Sequence, residues 1–332
     1  MKKRGLVCLS GDVVSRTIRI QFDPIAGLGN NLFHYLLANV IRDHVPDAVL
    51  VGDRLPEWVA PHSKVTEETR SPEQGDPEII ELYGHVIPLR TAIERLRSSD
   101  NIEICTRSLA LRMEYFGRHL ELARRIFAAD VLRSPGFGDD HIVFSIRCGD
   151  IYRGAHPNYT LLPISFYQYL VRKTGLKPAF VGQIEDNDYC HALREVFPAA
   201  PFCHGSPMED FLMLRTSSCI VLSISTFSWL AAWLSESARL IICPILGMFN
   251  PLDRPDIDLL PVDDARYRFY RFPSEQWTGT DAEIAAKIAG RPNFRRVVAP
   301  RLFKSAALLR AWQEGRLPPG LSLRRSLGSV FP

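Results

Sequence analysis

The 332-residue chain is 46% hydrophobic and 23% charged with a formal net charge of +3, which excludes a disordered or low-complexity protein and gives material for sizeable cores and a soft expectation of two domains. Seven cysteines (Cys8, Cys105, Cys148, Cys190, Cys203, Cys219, Cys243) are scattered and never form a Cys-x-x-Cys pair, which argues against a disulfide framework or zinc site and for a reducing cytoplasm. Lys2-Lys3-Arg4 precede too short an apolar stretch for a signal peptide, and no run reaches membrane-spanning length, so a soluble cytoplasmic protein is expected.

Thr17 to Phe22 alternates like a strand and runs into Asp23, Pro24 and the tight sequence Gly27-Leu28-Gly29-Asn30-Asn31. Leu32, Phe33, Leu36, Leu37, Val40 and Ile41 then recur at helical spacing, so strand, glycine turn and helix open an α/β domain. The turn lacks the third glycine of a dinucleotide fingerprint, and no Gly-x-x-x-x-Gly-Lys-Ser/Thr occurs in the chain. Residues 61–78 read as a surface loop. Strands are expected near Glu81 to Ile87 and Asn101 to Cys105, and one long helix from Leu109 to Ala129. Ser134, Pro135, Gly136 and Gly138 mark the domain break, giving an N-terminal domain over 1–135.

His141 to Asp150 reads as a buried strand that stops at Arg147, Gly149 and Asp150. At the carboxyl end of a sheet strand, Arg147 faces a ligand site and its planar fork suits a diphosphate; the alternative is an Arg147–Asp150 ion pair closing the turn. Helices and strands then alternate: a helix over Pro163 to Thr174, a strand at Pro178 to Val181, a helix near Tyr189 to Phe197, a short strand near Phe202, a helix over Met208 to Ser217, the strand Cys219 to Ile224, the helix Phe227 to Ser235 and the strand Leu240 to Cys243. This is an α/β protein whose C-terminal domain, 136–290, is a doubly wound parallel sheet. Ser223 to Trp229 places several hydroxyls and unpaired backbone N–H groups at a helix N-terminus, which favours an anion; a simple cap would need only one hydroxyl.

Three stretches, Gly27-Leu28-Gly29-Asn30-Asn31-Leu32-Phe33, Ile146-Arg147-Cys148-Gly149-Asp150 and Ser225 to Leu234, resemble in order three motifs of bacterial alpha-1,2-fucosyltransferases, and Leu162 to Tyr167 is similar to the segment that follows the arginine motif. The resemblance covers about residues 25–235. It implies two Rossmann-like domains facing a cleft (GT-B-like), a GDP-fucose donor, inversion at the anomeric carbon and no metal. Under it, Arg147 would bind the β-phosphate, Ser225, Thr226 and Ser228 the diphosphate, and Gly27, Gly29 and Asn30 would close on the donor from the other domain. The family's His-x-Arg-Arg-Gly-Asp becomes Ser145-Ile146-Arg147-Cys148-Gly149-Asp150 here, with Ser145 counted among the donor contacts. Glu185 or Asp186 would stand for the acidic residues that read the base or ribose.

Sugar transfer also needs a base or a positioned carboxylate, and Asp150 is the candidate. His156 and His204 stay outside the catalytic set, and Cys148 is expected to pack rather than react. Asp186-Asn187-Asp188 has the form of a cation-holding triplet, yet neither metal nor cofactor is expected, because Arg147 and a helix terminus can serve the diphosphate. Tyr267 to Phe272 reads as a packed edge segment, and no nucleic-acid partner is expected. From Arg291 to the end, nine Lys and Arg stand against Glu314 alone. That tail, 291–332, either packs as a helix or touches an anionic membrane surface on which a lipid-linked glycan acceptor could sit. The alternatives to a fucosyltransferase are a transferase using another nucleotide sugar and a non-catalytic nucleotide- or glycan-binding relative.

Overall fold

The structure is a computed structural model and describes residues 15–298 apart from 25, 56, 61–64, 67–74, 128–135 and 252. The N-terminal unit comprises β1 (Ser15–Ile20), α1 (Leu28–His44), β2 (Val49–Gly52), β3 (Glu78–Leu82), α2 (Leu89–Ser98), β4 (Asn101–Thr106), α3 (Met113–Phe116) and α4 (Leu120–Ile126). Its four strands are all parallel, in the order β2-β1-β4-β3. The register sets Ile18 beside both Leu50 and Ile104. The α1 stripe of Leu32, Phe33, Leu36, Leu37, Val40 and Ile41 is wholly buried. Each such side chain contributes at most about 1.5–3 kcal/mol, so this stripe fixes how α1 lies.

The C-terminal unit holds β5 (His141–Arg147), α5 (Ile164–Thr174), β6 (Lys177–Gln183), α6 (Asp188–Val196), β7 (Phe202–Cys203), α7 (Pro207–Thr216), β8 (Cys219–Val221), α8 (Thr226–Leu234), β9 (Leu240–Ile245), β10 (Tyr267–Arg271), α9 (Asp281–Ala289) and β11 (Arg295–Val297). The order is β11-β10-β9-β8-β5-β6-β7, parallel except for β11. The doubly wound sheet is therefore present, with the winding reversing between β5 and β8. In such sheets the crevice beyond the strand ends at the reversal is where ligands bind. The two parallel α/β units face one another across that crevice.

Four local expectations are corrected. The long helix expected over 109–129 is two short ones: the Gly117 N–H completes the last turn of α3 on the Met113 carbonyl (2.7 Å), but the His119 N–H closes on that of Phe116 (2.8 Å) and the chain turns before α4 starts at Leu120. The strand expected at Glu81 to Ile87 lies earlier, as β3. Tyr267 to Phe272 is a paired strand, β10, and not an edge. The unit also runs past residue 290: β11 pairs antiparallel with β10, and Phe294 packs on Phe166 (ring centroids 4.8 Å apart) and Tyr169 (5.0 Å). The remainder of the basic tail, like most of the 61–78 loop and the start of the 134–138 break, lies outside the described residues. No helix among the described residues is long and apolar enough to cross a membrane.

The units meet along α1 and α8. Phe33 packs on Trp229 (5.6 Å), which stacks on Trp233 (5.3 Å). The Met113 N–H donates to the Asp258 carbonyl (2.7 Å) and the Asp258 N–H to that of Leu111 (3.0 Å), a second seam between the units.

Candidate functional site

A cavity of about 240 Å³ opens between the units at the strand reversal. Arg147 is the last residue of β5, and the turn from β8 into α8 supplies Ser223, Ser225 and Thr226. The N-terminal unit contributes Gly27, Leu28, Gly29 and Asn30 from the start of α1.

Both helices thus begin at the cavity. Gly27 is the N-cap of α1 and offers no side chain to its first turn, while the Ser225 hydroxyl accepts from the Phe227 N–H (3.2 Å) as the cap of α8. Unpaired N–H groups and the positive ends of two helix dipoles make this end of the cavity favourable to an anion. Gly29 explains why the two starts can lie so close: a Cβ there would sit 2.6 Å from both the Phe227 nitrogen and the Thr226 hydroxyl. Thr226 Oγ1 donates to Asn30 Oδ1 (2.9 Å), tying one helix start to the other.

Arg147 aims one edge of its guanidinium at Asp150, with Nε donating to Oδ1 (3.1 Å) and Nη2 to Oδ2 (2.6 Å). The ion pair considered from sequence is therefore formed, and it lies in the cavity wall. The guanidinium carbon lies 4.7 Å from the Tyr159 ring centroid, and the His156 ring meets the same tyrosine edge-on (4.9 Å). Tyr159 is held in place by its loop. The Trp277 indole donates to the Ile151 carbonyl (2.6 Å), Thr160 Oγ1 to Glu275 (2.8 Å) and the Met248 N–H to the Asn158 carbonyl (3.0 Å). Burial, then the charges of Arg254 and Arg147, lower the pKa of His156.

The cavity is also lined by Gly182 and Gln183 of β6 and by Pro207, Asp210 and Leu214 of α7. Ser206 and Glu209 form a capping box with proline at the first turn, which fixes where α7 starts. Pro207, Asp210 and Leu214 consequently share one face. Asp210 accepts from the Gly205 N–H (3.0 Å), and burial raises its carboxyl pKa.

Of the residues expected from sequence, Gly27, Gly29, Asn30, Ser145, Arg147, Asp150, Ser225 and Thr226 line this one cavity. Ser228 does not: it is fully buried behind Ser223, whose hydroxyl lies 3.1 Å from its own and 3.0 Å from that of Ser145. Nor do Glu185 and Asp186. Asp186 is almost fully exposed and pairs with His191 (2.6 Å), and Glu185 is exposed beside Gly149. Asn187 caps α6, accepting from the Cys190 N–H (3.0 Å), and Asp188 stands in that helix's first turn, so the acidic triplet forms a helix start. Among the described residues no cluster of His, Cys, Asp or Glu could hold a metal ion. Cys148 is buried against Asn187 (3.5 Å), and contact with Cys190, then burial, pushes its thiol pKa up, the opposite of a nucleophile's tuning. Tyr159, Gln183 and Asp210 escaped the sequence reading, while Ser223 belongs to the hydroxyl stretch it named; the spacing of Pro207, Asp210 and Leu214 was the available signal for Asp210.

No family model and no curated protein matches the chain. Among solved structures it is similar to a glycosyl transferase family 9 protein of Veillonella parvula DSM 2008, at 14% identity over 89% of this chain and 97% of that one, with a TM-score of 0.43. It is also similar to E. coli heptosyltransferase WaaC with ADP, at 12% identity over 90% of this chain and 97% of that one, with a TM-score of 0.39. Likeness at these scores carries no functional argument.

Proposed function

We propose that the chain is a nucleotide-sugar-dependent glycosyltransferase, fucosyltransferase-like, that transfers fucose from GDP-fucose with inversion to a glycan acceptor in surface polysaccharide synthesis. One observation carries this reading: the Arg147 fork, the Ser225 cap and the starts of α1 and α8 converge on a single cavity at the strand reversal. These are the groups a departing diphosphate needs, and they are fixed before it arrives. In the reaction the acceptor oxygen attacks the anomeric carbon from the face opposite the diphosphate. The carbon–oxygen bond to the phosphate breaks, its electron pair leaves with the diphosphate, and the acceptor proton passes to Asp150. Gly182, Gln183, Pro207, Asp210 and Leu214 form the nucleoside end, where Asp210 can accept N–H groups of the base. Donor binding is metal-independent in this reading, since Arg147 and two helix starts supply the positive charge.

A transferase using another nucleotide sugar is the second reading. It is favoured by Ser145 and Cys148 in the arginine motif and by Glu185 and Asp186 standing outside the cavity lining. Thermal shift with GDP, UDP, ADP and GDP-fucose, followed by detection of released diphosphate, separates the readings. A nucleotide at a thousand times its Kd stabilises the fold by about 4 kcal/mol. Stabilisation by GDP-fucose with turnover is the expected result. Stabilisation without turnover would favour a binding relative, and no stabilisation by any nucleotide would refute the donor site.

A further inference from the structure

The cavity holds an internal competitor for its own ligand. The edge of the guanidinium that a phosphate would take in bidentate fashion, Nε and Nη2, is filled by both oxygens of Asp150. The remaining nitrogen, Nη1, lies 3.5 Å from the Ile224 carbonyl, and Tyr159 stands against the guanidinium at 4.7 Å. Arg147 therefore cannot offer this edge of its fork to a diphosphate while Asp150 stays where it is.

The two partners differ in freedom. The Arg147 side chain is 24% exposed and held between Tyr159 and the β8–α8 turn, whereas that of Asp150 is 48% exposed and starts a loop. The Asp150 backbone is fixed, its carbonyl accepting from the Ala155 N–H (3.3 Å), so the carboxylate can leave by side-chain rotation alone. Its departure would cost little, because exposed ion pairs are weak.

Resting on the donor reading above, we propose that Asp150 occupies the donor's place on Arg147 in the resting enzyme and that the diphosphate displaces it. The donor then binds first, and its arrival frees the carboxylate that takes the acceptor proton. Arg147 exchanges one bidentate oxyanion partner for another without moving, and Tyr159 is a positioning residue that holds the fork in both states. Before the donor binds, both oxygens of Asp150 are held by Arg147. Afterwards it is an unpaired carboxylate beside the reacting centre. The pair thus couples donor binding to the appearance of the base.

The test is calorimetric titration of the full chain with GDP, UDP and ADP, comparing wild type with Asp150→Asn, Asp150→Ala and Asp150→Glu, each checked by thermal melting. Removing the competitor should tighten nucleoside diphosphate binding by about 2- to 5-fold, the equilibrium weight of an exposed ion pair. Asp150→Glu, which keeps a carboxylate, should stay nearer to wild type. A general structural lesion would move affinity the other way, so the gain is diagnostic. Transfer should meanwhile fall by about 10²-fold or more in the Asn and Ala variants. Equal or weaker diphosphate binding by correctly folded Asn and Ala variants, with wild type binding normally, overturns the exchange and leaves the donor site standing. No binding of any nucleoside diphosphate by wild type overturns the donor site and the exchange with it.

Discussion

Replacing Gly29 with alanine tests the seam from which the cavity is built. The new Cβ would lie 2.6 Å from the Phe227 nitrogen and the Thr226 hydroxyl and 3.0 Å from the Phe227 Cα. Carbon contacts are comfortable near 3.5–4.0 Å, so the starts of α1 and α8 must separate by roughly an ångström. Two of the three atoms are backbone of α8's first turn and cannot rotate aside. Overpacking of this kind costs about 1–3 kcal/mol. Alanine returns up to about 1 kcal/mol of helix propensity, leaving a net loss near 1–2 kcal/mol. In a chain of this size that lowers Tm by about 1.5–3 °C. On the proposed donor reading, nucleoside diphosphate affinity should fall with it, because the displaced N–H groups belong to the helix starts that line the cavity. Gly27→Ala is the control: its backbone is extended at φ −65° and nothing lies within 4 Å of a Cβ there, so it should cost about 1 kcal/mol or less, mostly through capping. Thermal melting and GDP titration of both variants decide the matter. If Gly29→Ala matches wild type in Tm and affinity, or if Gly27→Ala is the more damaging, the close approach at Gly29 does not hold the helices as argued.

Arg147→Lys keeps the charge and loses the fork, so transfer should drop by about 10²-fold while Tm stays near wild type; steady-state kinetics showing equal turnover would remove Arg147 from the reaction. Asp210 gives a pH test. Burial raises its folded pKa above the ordinary 3.8, so its contribution to stability is full below that value and is lost as pH rises through the raised one. Asp210→Asn should therefore gain stability over wild type at pH 7 and lose that advantage in acid, which urea midpoints across pH would record. For the basic tail, truncation after Val298 should leave the fold intact and abolish salt-sensitive binding to anionic vesicles, whereas truncation after residue 290 should destabilise it by removing β11 and Phe294. Equal stability of the two truncations, or no vesicle binding by the intact chain, would contradict this.

The doubly wound sheet was legible because its strands are short apolar runs set between helices with regular stripes, and a sheet buried on both faces must look that way. Where the pattern misled, a local backbone event overrode the side-chain period. Leu111, Tyr115, Leu122 and Ile126 can share a face on paper, but the turn through Gly117 cuts the helix in two, and Ala110 adopts a positive φ of 44° just before it. Arg295 to Val297 was hidden differently. Three residues are too few to show alternation, and β11 exists only because β10 offers it an edge.

The site shows what motif spacing can and cannot carry. Arg147, Asp150, Ser225 and Thr226 were visible because each sits where a strand ends or a helix begins, and the sheet's winding brings those ends together. Ser228 had the same chemistry and proximity in sequence, yet one turn into α8 its hydroxyl points back to Ser223 instead of the cavity. Glu185 and Asp186 stand outside the cavity lining for a related reason. Both follow β6 closely, as expected of residues that read a base, but β6 ends at Gln183 and the chain then leaves the cavity lining for the Asn187 cap and the start of α6 at Asp188. A second carboxylate that lines the cavity beside Asp150, Asp210, comes from α7, whose start depends on a capping box and whose inward face only the packed helix defines. A carboxylate at a strand end is assigned by topology, while one on a helix face is assigned by rotation about the helix axis. Single-residue differences in where a helix starts change that rotation by about 100°, so Asp210 could be placed only once Pro207 was known to open the helix.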